Sequence, residues 1–311
     1  MKKIINVGSF IIDFACYANS LPIAGETTLG LRSKLGAGGK GSNQATASHR
    51  SGGDVRMIGK IGTDSLAKII TDHYEQEGMS QEYIKISQTN DTGVALIEID
   101  TKSGQNRIIV VKGANADLTI EDVQSAEKDF QDCEIVMTQL ETSAESILEC
   151  KKLAQKYHRT FLMNPAPFQD IPQGLFDGID YLTPNETETE FFTGIPVNDQ
   201  SSARKASEKL LSMGVKKVVL TLGEHGVYYF DGSMELLVPP PKVTAVDTTG
   251  AGDALNGGLA VALAEQMPIE VALKFANCVG ALSVTKAGSS PAMPFRSETE
   301  KLLYDFYQVK L

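Results

Sequence analysis

The sequence predicts a three-layer α/β/α fold, in which helices cover both faces of a mostly parallel sheet. From about residue 54 onward, short apolar runs alternate with segments that have the periodicity of amphipathic helices. Continuous apolar strands that alternate with helices are typical of parallel sheets buried on both faces. The expected strands cover residues 4–12, 55–58, 134–137, 160–163 and 217–220, and the expected helices cover residues 66–77, 143–157, 201–213, 252–264 and 269–285.

Two segments interrupt this alternation. Residues 15–36 and 92–112 alternate apolar and polar side chains, with no helical pattern inside them. Residues 92–99 and 107–111 are typical of a hairpin that turns at residues 102–104. Antiparallel strands beside a parallel sheet suggest a small β-rich lid that covers a site or pairs with another subunit. We therefore expect a large α/β domain made of residues 1–14, 37–91 and 113–311, and a lid made of residues 15–36 and 92–112.

The composition of the 311-residue chain is that of a globular protein, with 42% hydrophobic and 22% charged residues. No stretch approaches the roughly 20 apolar residues of a membrane-spanning helix. The net charge is -10, from 29 Lys and Arg against 39 Asp and Glu, and the sequence has no block of basic residues. Such a chain repels phosphate backbones and anionic lipids, so we expect neither a nucleic acid nor a membrane as a partner.

The cysteines and the N-terminus indicate a cytoplasmic protein. The apolar run after Lys2 and Lys3 superficially resembles a signal peptide, but Asn6 interrupts it and no clear cleavage site follows. The cysteines form no CxxC pair, so we expect small buried hydrophobic residues in a reducing compartment. They are Cys16, Cys133, Cys150 and Cys278.

A glycine-rich segment, residues 36–45, reads GAGGKGSNQA. Its first six residues satisfy the dinucleotide-binding pattern GxGxxG, but that site needs a preceding core strand and an acidic residue about 20 positions later, and Asp54 comes too early. It is not a phosphate-binding Walker A loop either, because Gly41 follows Lys40. The segment predicts a turn into a helix that begins near Ser42, with Lys40 and Asn43 exposed at its mouth. By itself, the pattern fits a purely structural turn equally well.

The segment Thr249-Gly-Ala-Gly-Asp253 precedes a strong helical pattern. The free amides and the positive dipole end of a helix that starts near Gly252 can bind an anion, and the glycines allow close approach of a phosphate. Asp253 is either an N-cap, the commonest use of such a residue, or a base beside that anion site. Phosphoryl transfer needs both a base and an anion site.

Residues 183–188, with the sequence TPNETE, follow an expected strand. Two carboxylates and an amide at the end of a strand suit a hydrated magnesium ion. The same residues also form a capping box, with Asn185 at the cap and Glu188 three residues later. The pattern alone favours the cap.

These three segments, together with residues 164–167 (NPAP) and 221–226 (TLGEHG), resemble in order the motifs of the ribokinase-like family, the phosphofructokinase-B sugar kinases. The resemblance extends from about Gly8 to Pro294. It implies a ribokinase-like fold and an ATP-dependent sugar kinase. It further implies that Asp253 is the general base for the terminal hydroxyl of the sugar, and that Gly250, Ala251 and Gly252 form the anion hole for the γ-phosphate.

The resemblance also implies the remaining site residues. Asn185 and Glu188 hold Mg²⁺, mostly through water. Thr221, Gly223 and Gly226 lie along the nucleotide, and Asn277 contacts adenine. The positions that grip the sugar are Asp13, Gly39, Lys40, Asn43 and Glu141. Those around a monovalent-cation site, which K⁺ would occupy, are Asp247, Thr249, Ser283, Lys286, Gly288 and Ala292.

Three residues depart from the family pattern. Ile11 replaces an asparagine that helps to bind ribose hydroxyls, and relatives that prefer 2-deoxyribose tend to be apolar there. The resemblance therefore implies a pentose kinase whose substrate specificity is relaxed or favours 2-deoxyribose. Ala292 and Ser283 differ from the usual residues near the cation but retain their backbone carbonyls, so we expect potassium activation.

Several alternatives stay open at this point. A nucleoside kinase or a hexose kinase of the same family fits the motifs, and so does a module that senses sugars or nucleotides without turnover. The family also uses its lid to close over the sugar and, in some members, to pair across a dimer. A homodimer through the lid is therefore expected.

Overall fold

Two β-sheets organise the chain in this computed structural model, which describes residues 1–103 and 105–311. The strands are β1 (Lys3–Val7), β2 (Ile11–Ala18), β3 (Arg32–Gly38), β4 (Asp54–Ile61), β5 (Ile84–Ile86), β6 (Gly93–Asp100), β7 (Asn106–Val111), β8 (Ile135–Thr138), β9 (Thr160–Met163), β10 (Tyr181–Leu182), β11 (Val218–Thr221), β12 (Val227–Phe230) and β13 (Glu235–Val238). The helices are α1 (Lys40–Arg50), α2 (Ala67–Glu77), α3 (Ile120–Gln124), α4 (Glu127–Asp132), α5 (Ala144–Lys156), α6 (Glu186–Thr193), α7 (Gln200–Ser212), α8 (Ala251–Ala264), α9 (Ile269–Ser283) and α10 (Arg296–Tyr307).

The central sheet has the strand order β13-β12-β11-β10-β9-β8-β1-β4-β5. Its neighbouring strands are parallel, except that β12 runs antiparallel to β11 and β13. The predictions of a mostly parallel sheet and of strands at β4, β8, β9 and β11 are confirmed. Parallel strands end at a common edge, so the segments that follow β9, β10 and β11 meet there.

The prediction of a single strand over residues 4–12 is wrong. β1 ends at Val7 and β2 begins at Ile11 in the other sheet. The chain turns away at Gly8, where a Cβ would lie 2.7 Å from the Cα of Gly41. Close contact with α1 therefore separates the two strands, although the hydrophobic pattern runs through both.

Helices cover both faces of the central sheet, because successive residues of each strand point to opposite sides. Ile5 and Val136 belong to the core that packs against α3, α4, α5 and α7. Ile4 and Met137 belong to the core that packs against α8, α9 and α10. This is the predicted three-layer arrangement.

The smaller sheet has the strand order β3-β2-β6-β7 and contains residues from both segments expected to form the lid. β6 and β7 pair antiparallel, as predicted for the hairpin, although residue 104 of its turn lies outside the described residues. One face buries Ile11, Ala15, Tyr17, Ala95 and Ile97 together. Asp13 shares this face with Ile11, because the two residues are two positions apart on one strand.

Two further expectations can be compared with the structure. Cys133, Cys150 and Cys278 are buried free thiols, as predicted, whereas Cys16 is half-buried. In the part of the chain that the structure describes, no helix combines the length and apolar character that crossing a membrane requires.

Candidate active site

Asp253 lies in the first turn of α8 and only 5% of it is exposed. The N-cap of this helix is Gly250, which adopts the left-handed conformation with φ 78°. The interpretation of Asp253 as an N-cap is therefore wrong. Its carboxylate points instead toward α1, which leaves it free for another role.

Both carboxylate oxygens of Asp253 accept hydrogen bonds from consecutive residues of α1. Asn43 Nδ2 donates to Oδ2 over 2.9 Å, and Gln44 Nε2 donates to Oδ1 over 3.0 Å. Asn43 is buried rather than exposed as the sequence had suggested. Helices α1 and α8 pack so closely at Gly257 that a Cβ there would lie 2.5 Å from Ala47 Cβ. Only glycine therefore permits this packing.

The start of α1 explains how this arrangement is held. Gly39 caps the helix with φ 90°, and a Cβ there would lie 2.7 Å from the backbone nitrogen of Ile11. Residues 36–41 thus run from the smaller sheet into α1, rather than from a core parallel strand. This context does not match a dinucleotide-binding turn, in agreement with the interpretation of the sequence.

A cavity of about 170 Å³ brings together all five motifs singled out in the sequence. Gly252 lines this cavity beside open space, because among the described residues a Cβ there would meet no atom within 4 Å outside its own helix turn. The first amides of a helix have no carbonyl partner within the helix, so those of Gly252 and Asp253 are available to a ligand. Ala251 N instead donates to Thr248 O over 3.3 Å. The lining residues are Lys40, Asn164, Ala166, Thr183, Asn185, Glu188, Thr221, Thr248, Gly250, Ala251, Gly252, Asp253 and Asn256.

The charges in this cavity are mixed, with one lysine, Lys40, and two carboxylates, Asp253 and Glu188. Burial opposes the charged form of Lys40, but the carboxylates of Asp253 and Glu141, with smaller contributions from others, outweigh it and raise the pKa of Lys40. Burial raises the pKa of Glu188, against the hydrogen bond from Asn185 and the charge of Lys40. A charged lysine beside the N-terminus of a helix suits a phosphate group.

A second group of polar residues lies at the inner face of the smaller sheet, to which Asp13 belongs. Asp13 Oδ2 accepts a hydrogen bond of 2.6 Å from Ser289 Oγ. Burial raises the pKa of Asp13 to about 6, with the charges of Glu141 and Asp253 acting in the same direction and the bond from Ser289 opposing them. Glu141 Oε2 accepts from Lys40 N over 2.9 Å. Among the residues expected to grip a sugar, Lys40 therefore contacts Glu141. Asn43 contacts Asp253, whereas Asp13 contacts Ser289.

Ile11 lies in the apolar cluster of the smaller sheet and is 2% exposed. It shares a face with Asp13, so it lies beside the expected sugar site rather than on the outer surface. An apolar side chain here offers no hydrogen bond to a hydroxyl group.

The residues expected along the nucleotide fall into two places. Thr221 lines the Asp253 cavity, and its backbone nitrogen donates to Pro184 O over 2.9 Å. Gly226 has φ 91°, and a Cβ there would lie 2.1 Å from Val238 O. Asn277 is buried in α9 and donates through Nδ2 to Val238 O over 2.9 Å. Gly223 begins a 3₁₀ turn between β11 and β12.

Asn185 and Glu188 form a capping box at the start of α6, as the pattern favoured. Glu188 Oε2 accepts from Asn185 N over 2.9 Å, and Asn185 Oδ1 accepts from Glu188 N over 2.8 Å. Both residues also line the Asp253 cavity, so the cap and a ligand-binding role are compatible. Within the described residues, no group of three or more His, Cys, Asp or Glu side chains is arranged to hold a metal ion directly.

Most of the residues expected around a monovalent cation lie in two loops joined by Asp247, whereas Ser283 ends α9 and Ala292 ends a 3₁₀ turn. Its Oδ1 accepts from Thr249 N and its Oδ2 from Gly288 N, each over 3.0 Å. The other members have structural partners. Ser283 Oγ donates to Gly280 O, Lys286 pairs with Glu298 and Ala292 is buried.

Three residues that contact the site were missed in the sequence. Gln44 binds Asp253, Ser289 binds Asp13, and Ser290 Oγ donates to Asn43 Oδ1 over 2.6 Å. Gln44 directly follows Asn43 in the glycine-rich segment. It could have been noticed in the sequence as a long polar side chain among the small residues of α1. The two serines lie beside the expected cation loop and gave no comparable signal.

Comparison with known proteins identifies the family. The sequence profile of the pfkB family carbohydrate kinases matches residues 1–296. The chain belongs to this family. The resemblance inferred from the motifs is thereby confirmed, and the chain is a carbohydrate kinase.

Ribokinases and deoxyribokinases are among the proteins to which this kinase is similar. It is 37% identical to the ribokinase of Bacillus subtilis (strain 168), over 97% of this chain and 100% of that protein. It is 34% identical to the deoxyribokinase of Salmonella typhi, over 93% of this chain and 94% of that protein. The structure of Arabidopsis thaliana ribokinase complexed with ribose and ATP superposes with a TM-score of 0.89 at 31% identity, covering 97% of this chain and 98% of the other. The ribokinase-like fold is thus confirmed.

Proposed function

We propose that this kinase transfers the γ-phosphoryl group of ATP to the terminal 5-hydroxyl of a pentose, giving ribose 5-phosphate or 2-deoxyribose 5-phosphate. One observation carries the proposal: the buried carboxylate of Asp253 shares a cavity with the open amides at the start of α8 and with Lys40. A base and an anion site side by side are the parts that phosphoryl transfer needs. The complex of Arabidopsis thaliana ribokinase with ribose and ATP supports this choice of substrates.

In this mechanism, Asp253 takes the proton of the sugar hydroxyl as that oxygen attacks the γ-phosphorus. The amide donors of Asn43 and Gln44 occupy one side of each carboxylate oxygen and leave other lone pairs for the hydroxyl. The amides of Gly252 and Asp253 and the dipole of α8 stabilise the negative charge of the transferring group. Gly250 and Ala251 shape the turn that exposes these amides.

The sugar lies, in this proposal, between the inner face of the smaller sheet and the start of α1. Asp13, Asn43 and Glu141 offer oxygen and nitrogen atoms to its hydroxyls, and Gly39 allows close approach of the backbone. Lys40 balances the charges of the phosphates. Thr221, Gly223 and Gly226 would lie along the nucleotide, with Asn277 on the adenine side.

Two ions fit the residues present. Glu188, with Asn185 beside it, would hold Mg²⁺ mostly through water, because Mg²⁺ commonly uses one or two carboxylates plus substrate phosphates. The bound Mg²⁺ would neutralise the negative charge of the phosphates. The loops joined by Asp247, with Thr249, Ser283, Lys286, Gly288 and Ala292, would hold K⁺ largely through backbone oxygens. Turnover that is equal in potassium-free and potassium-containing buffer would contradict the second assignment.

The smaller sheet would act as a lid, as proposed for residues 15–36 and 92–112, while residues 1–14, 37–91 and 113–311 form the large domain. Closure over the sugar excludes water and limits wasteful hydrolysis of ATP. Unpaired buried thiols such as Cys150 suit a cytoplasmic location, where ATP is also available.

The outer face of the lid would pair two copies of the chain. Leu35, Phe14, Leu96 and Ile109 lie opposite one another across four strands and therefore share a face. Leu96 is 39% exposed and Ile109 is 65% exposed. Sedimentation should give a dimer that Leu96→Lys converts to a monomer, whereas Leu237→Lys, on an exposed strand of the central sheet, leaves it intact. A monomeric parent chain would overturn the proposal.

The choice between sugars rests on Ile11 and on the deoxyribokinase relative. An apolar contact discriminates poorly against an added hydroxyl, by about 10²-fold at most, so both pentoses can be accepted. An assay of ADP release over ribose, 2-deoxyribose, fructose and several nucleosides tests this directly. Ribose used far more efficiently than 2-deoxyribose would remove the argument from Ile11, and preference for a nucleoside would favour that alternative.

The variant Asp253→Asn tests the mechanism. We expect it to retain nucleotide binding while turnover falls by about 10²–10⁴-fold, the usual contribution of a positioned base. Near-normal turnover would refute the role of Asp253.

A further inference from the structure

Gln44 is fully buried, and both N–H donors and the oxygen of its side-chain amide have hydrogen-bond partners near Asp253. Nε2 donates one hydrogen to Asp253 Oδ1 over 3.0 Å and the other to Asn164 Oδ1 over 3.1 Å. Oε1 accepts from Gln139 Nε2 over 2.7 Å. Asn164 in turn donates to Thr183 O, so its Oδ1 must act as the acceptor and the orientation of Gln44 is fixed.

A chain of buried amides connects Gln44 to the central sheet. Gln139 Nε2 also donates to Asn6 Oδ1 over 3.0 Å, and Asn6 Nδ2 donates to Gly41 O over 2.8 Å. Asn6 lies on β1, and Gln139 follows β8. Each side-chain amide in this chain is hydrogen-bonded to the next. Rotation of one amide would therefore leave a buried polar atom of its neighbour without a hydrogen-bond partner, which is costly.

Asn43 and Gln44 therefore hold Asp253 differently. Asn43 also accepts from Ser290 and belongs to the expected sugar site. Gln44 lies behind Asp253, among Asn164 and Gln139, and reaches the reacting atoms through the carboxylate. One donor alone would leave the carboxylate free to rotate about its Cβ–Cγ bond, whereas donors on both oxygens fix that angle.

We propose that Gln44 is a positioning residue, which holds the carboxylate of Asp253 at the angle that accepts the sugar hydroxyl proton. The inference rests on the function proposed above for Asp253. A base must meet its proton in a near-attack geometry, and a displacement of about 1 Å can cost about 10²-fold in rate. Loss of Gln44 should therefore lower kcat and leave substrate binding intact.

The test uses Gln44→Met in the full chain, because methionine keeps the length of the side chain and has no N–H donor. We expect kcat to fall about 10–100-fold, with the KM values of sugar and ATP changed by less than about threefold. Gln44→Glu keeps an acceptor for Gln139 but places an acidic oxygen against Asp253, and we expect at least the same loss. It serves as the second variant if Gln44→Met does not fold.

Ser48→Ala is the matched control. Ser48 Oγ donates to Gly257 O over 3.2 Å, so this variant removes another buried contact between α1 and α8 at a distance from the base. We expect a lower melting temperature and an unchanged kcat. A merely structural role for Gln44 would give the same outcome in both variants.

The outcomes separate this inference from the proposed function. If Asp253→Asn loses turnover while Gln44→Met retains kcat within twofold, the positioning role alone is overturned. It is also overturned if the loss in Gln44→Met is confined to KM, or if Ser48→Ala loses kcat equally. If Asp253→Asn itself keeps near-normal turnover, the base assignment fails, and the role of Gln44 fails with it.

Discussion

The carboxylate of Asp13 should reduce the stability of the folded chain at neutral pH. It lies on the inner face of the smaller sheet, where burial raises its pKa to about 6 against an ordinary value of 3.8. Between about pH 4 and pH 6 the folded chain therefore binds a proton that the unfolded chain has released. The contribution of Asp13 to stability is then most favourable below pH 4, falls as the pH rises through this window, and stays lower above it.

The pKa difference of about two units corresponds to about 3 kcal/mol, at about 1.4 kcal/mol per unit. Asp13→Asn removes this titration while keeping an acceptor for the hydroxyl of Ser289. The variant should therefore gain up to about 3 kcal/mol relative to the parent at pH 8, and the gain should shrink toward pH 4. It should also bind the sugar more weakly, because a neutral amide replaces a charged acceptor.

The effect on stability is measured by urea unfolding of the parent and Asp13→Asn at several values between pH 4 and pH 8. The effect on sugar binding is measured by KM for the sugar. Asp100→Asn is a control of opposite sign, because backbone hydrogen bonds from Lys102 and Ser103 lower the pKa of Asp100. That variant should lose stability at neutral pH. A difference between Asp13→Asn and the parent that does not change with pH would refute the reasoning about Asp13.

Three further predictions concern neighbouring positions. Ser289→Ala removes the hydrogen bond that opposes the raised pKa of Asp13. The acidic limb of the pH profile of kcat/KM for the sugar should therefore move up by about one pH unit. An acidic limb that stays in place would contradict this prediction. Ile11→Asn should raise the preference for ribose over 2-deoxyribose by about tenfold in kcat/KM, and an unchanged ratio would count against Ile11 as a specificity residue. Gly257→Ala should separate α1 from α8 at Ala47 and lower both the melting temperature and kcat; normal values of both would show that the close packing is unnecessary.

Much of the fold and part of the site could be predicted from the sequence, because their signals are local. Alternation of apolar runs with helical periodicity follows from the burial of a parallel sheet on both faces, and it gave β4, β8, β9 and β11. The capping box of Asn185 and Glu188 depends on residues three positions apart. The glycines before Asp253 are required by the turn itself, since Gly250 adopts a left-handed conformation.

Tertiary structure alone decided which side chains surround Asp253. Gln44 and Asp253 are 209 positions apart, and Ser289 and Asp13 are 276 apart, so no local pattern links them. Their contacts exist because two helices pack at the distance that Gly257 allows and because the chain leaves the central sheet at Gly8, which the hydrophobic run 4–12 conceals. The direction of the buried amide of Gln44, and hence the orientation of the Asp253 carboxylate, depends on partners that only the folded chain brings together.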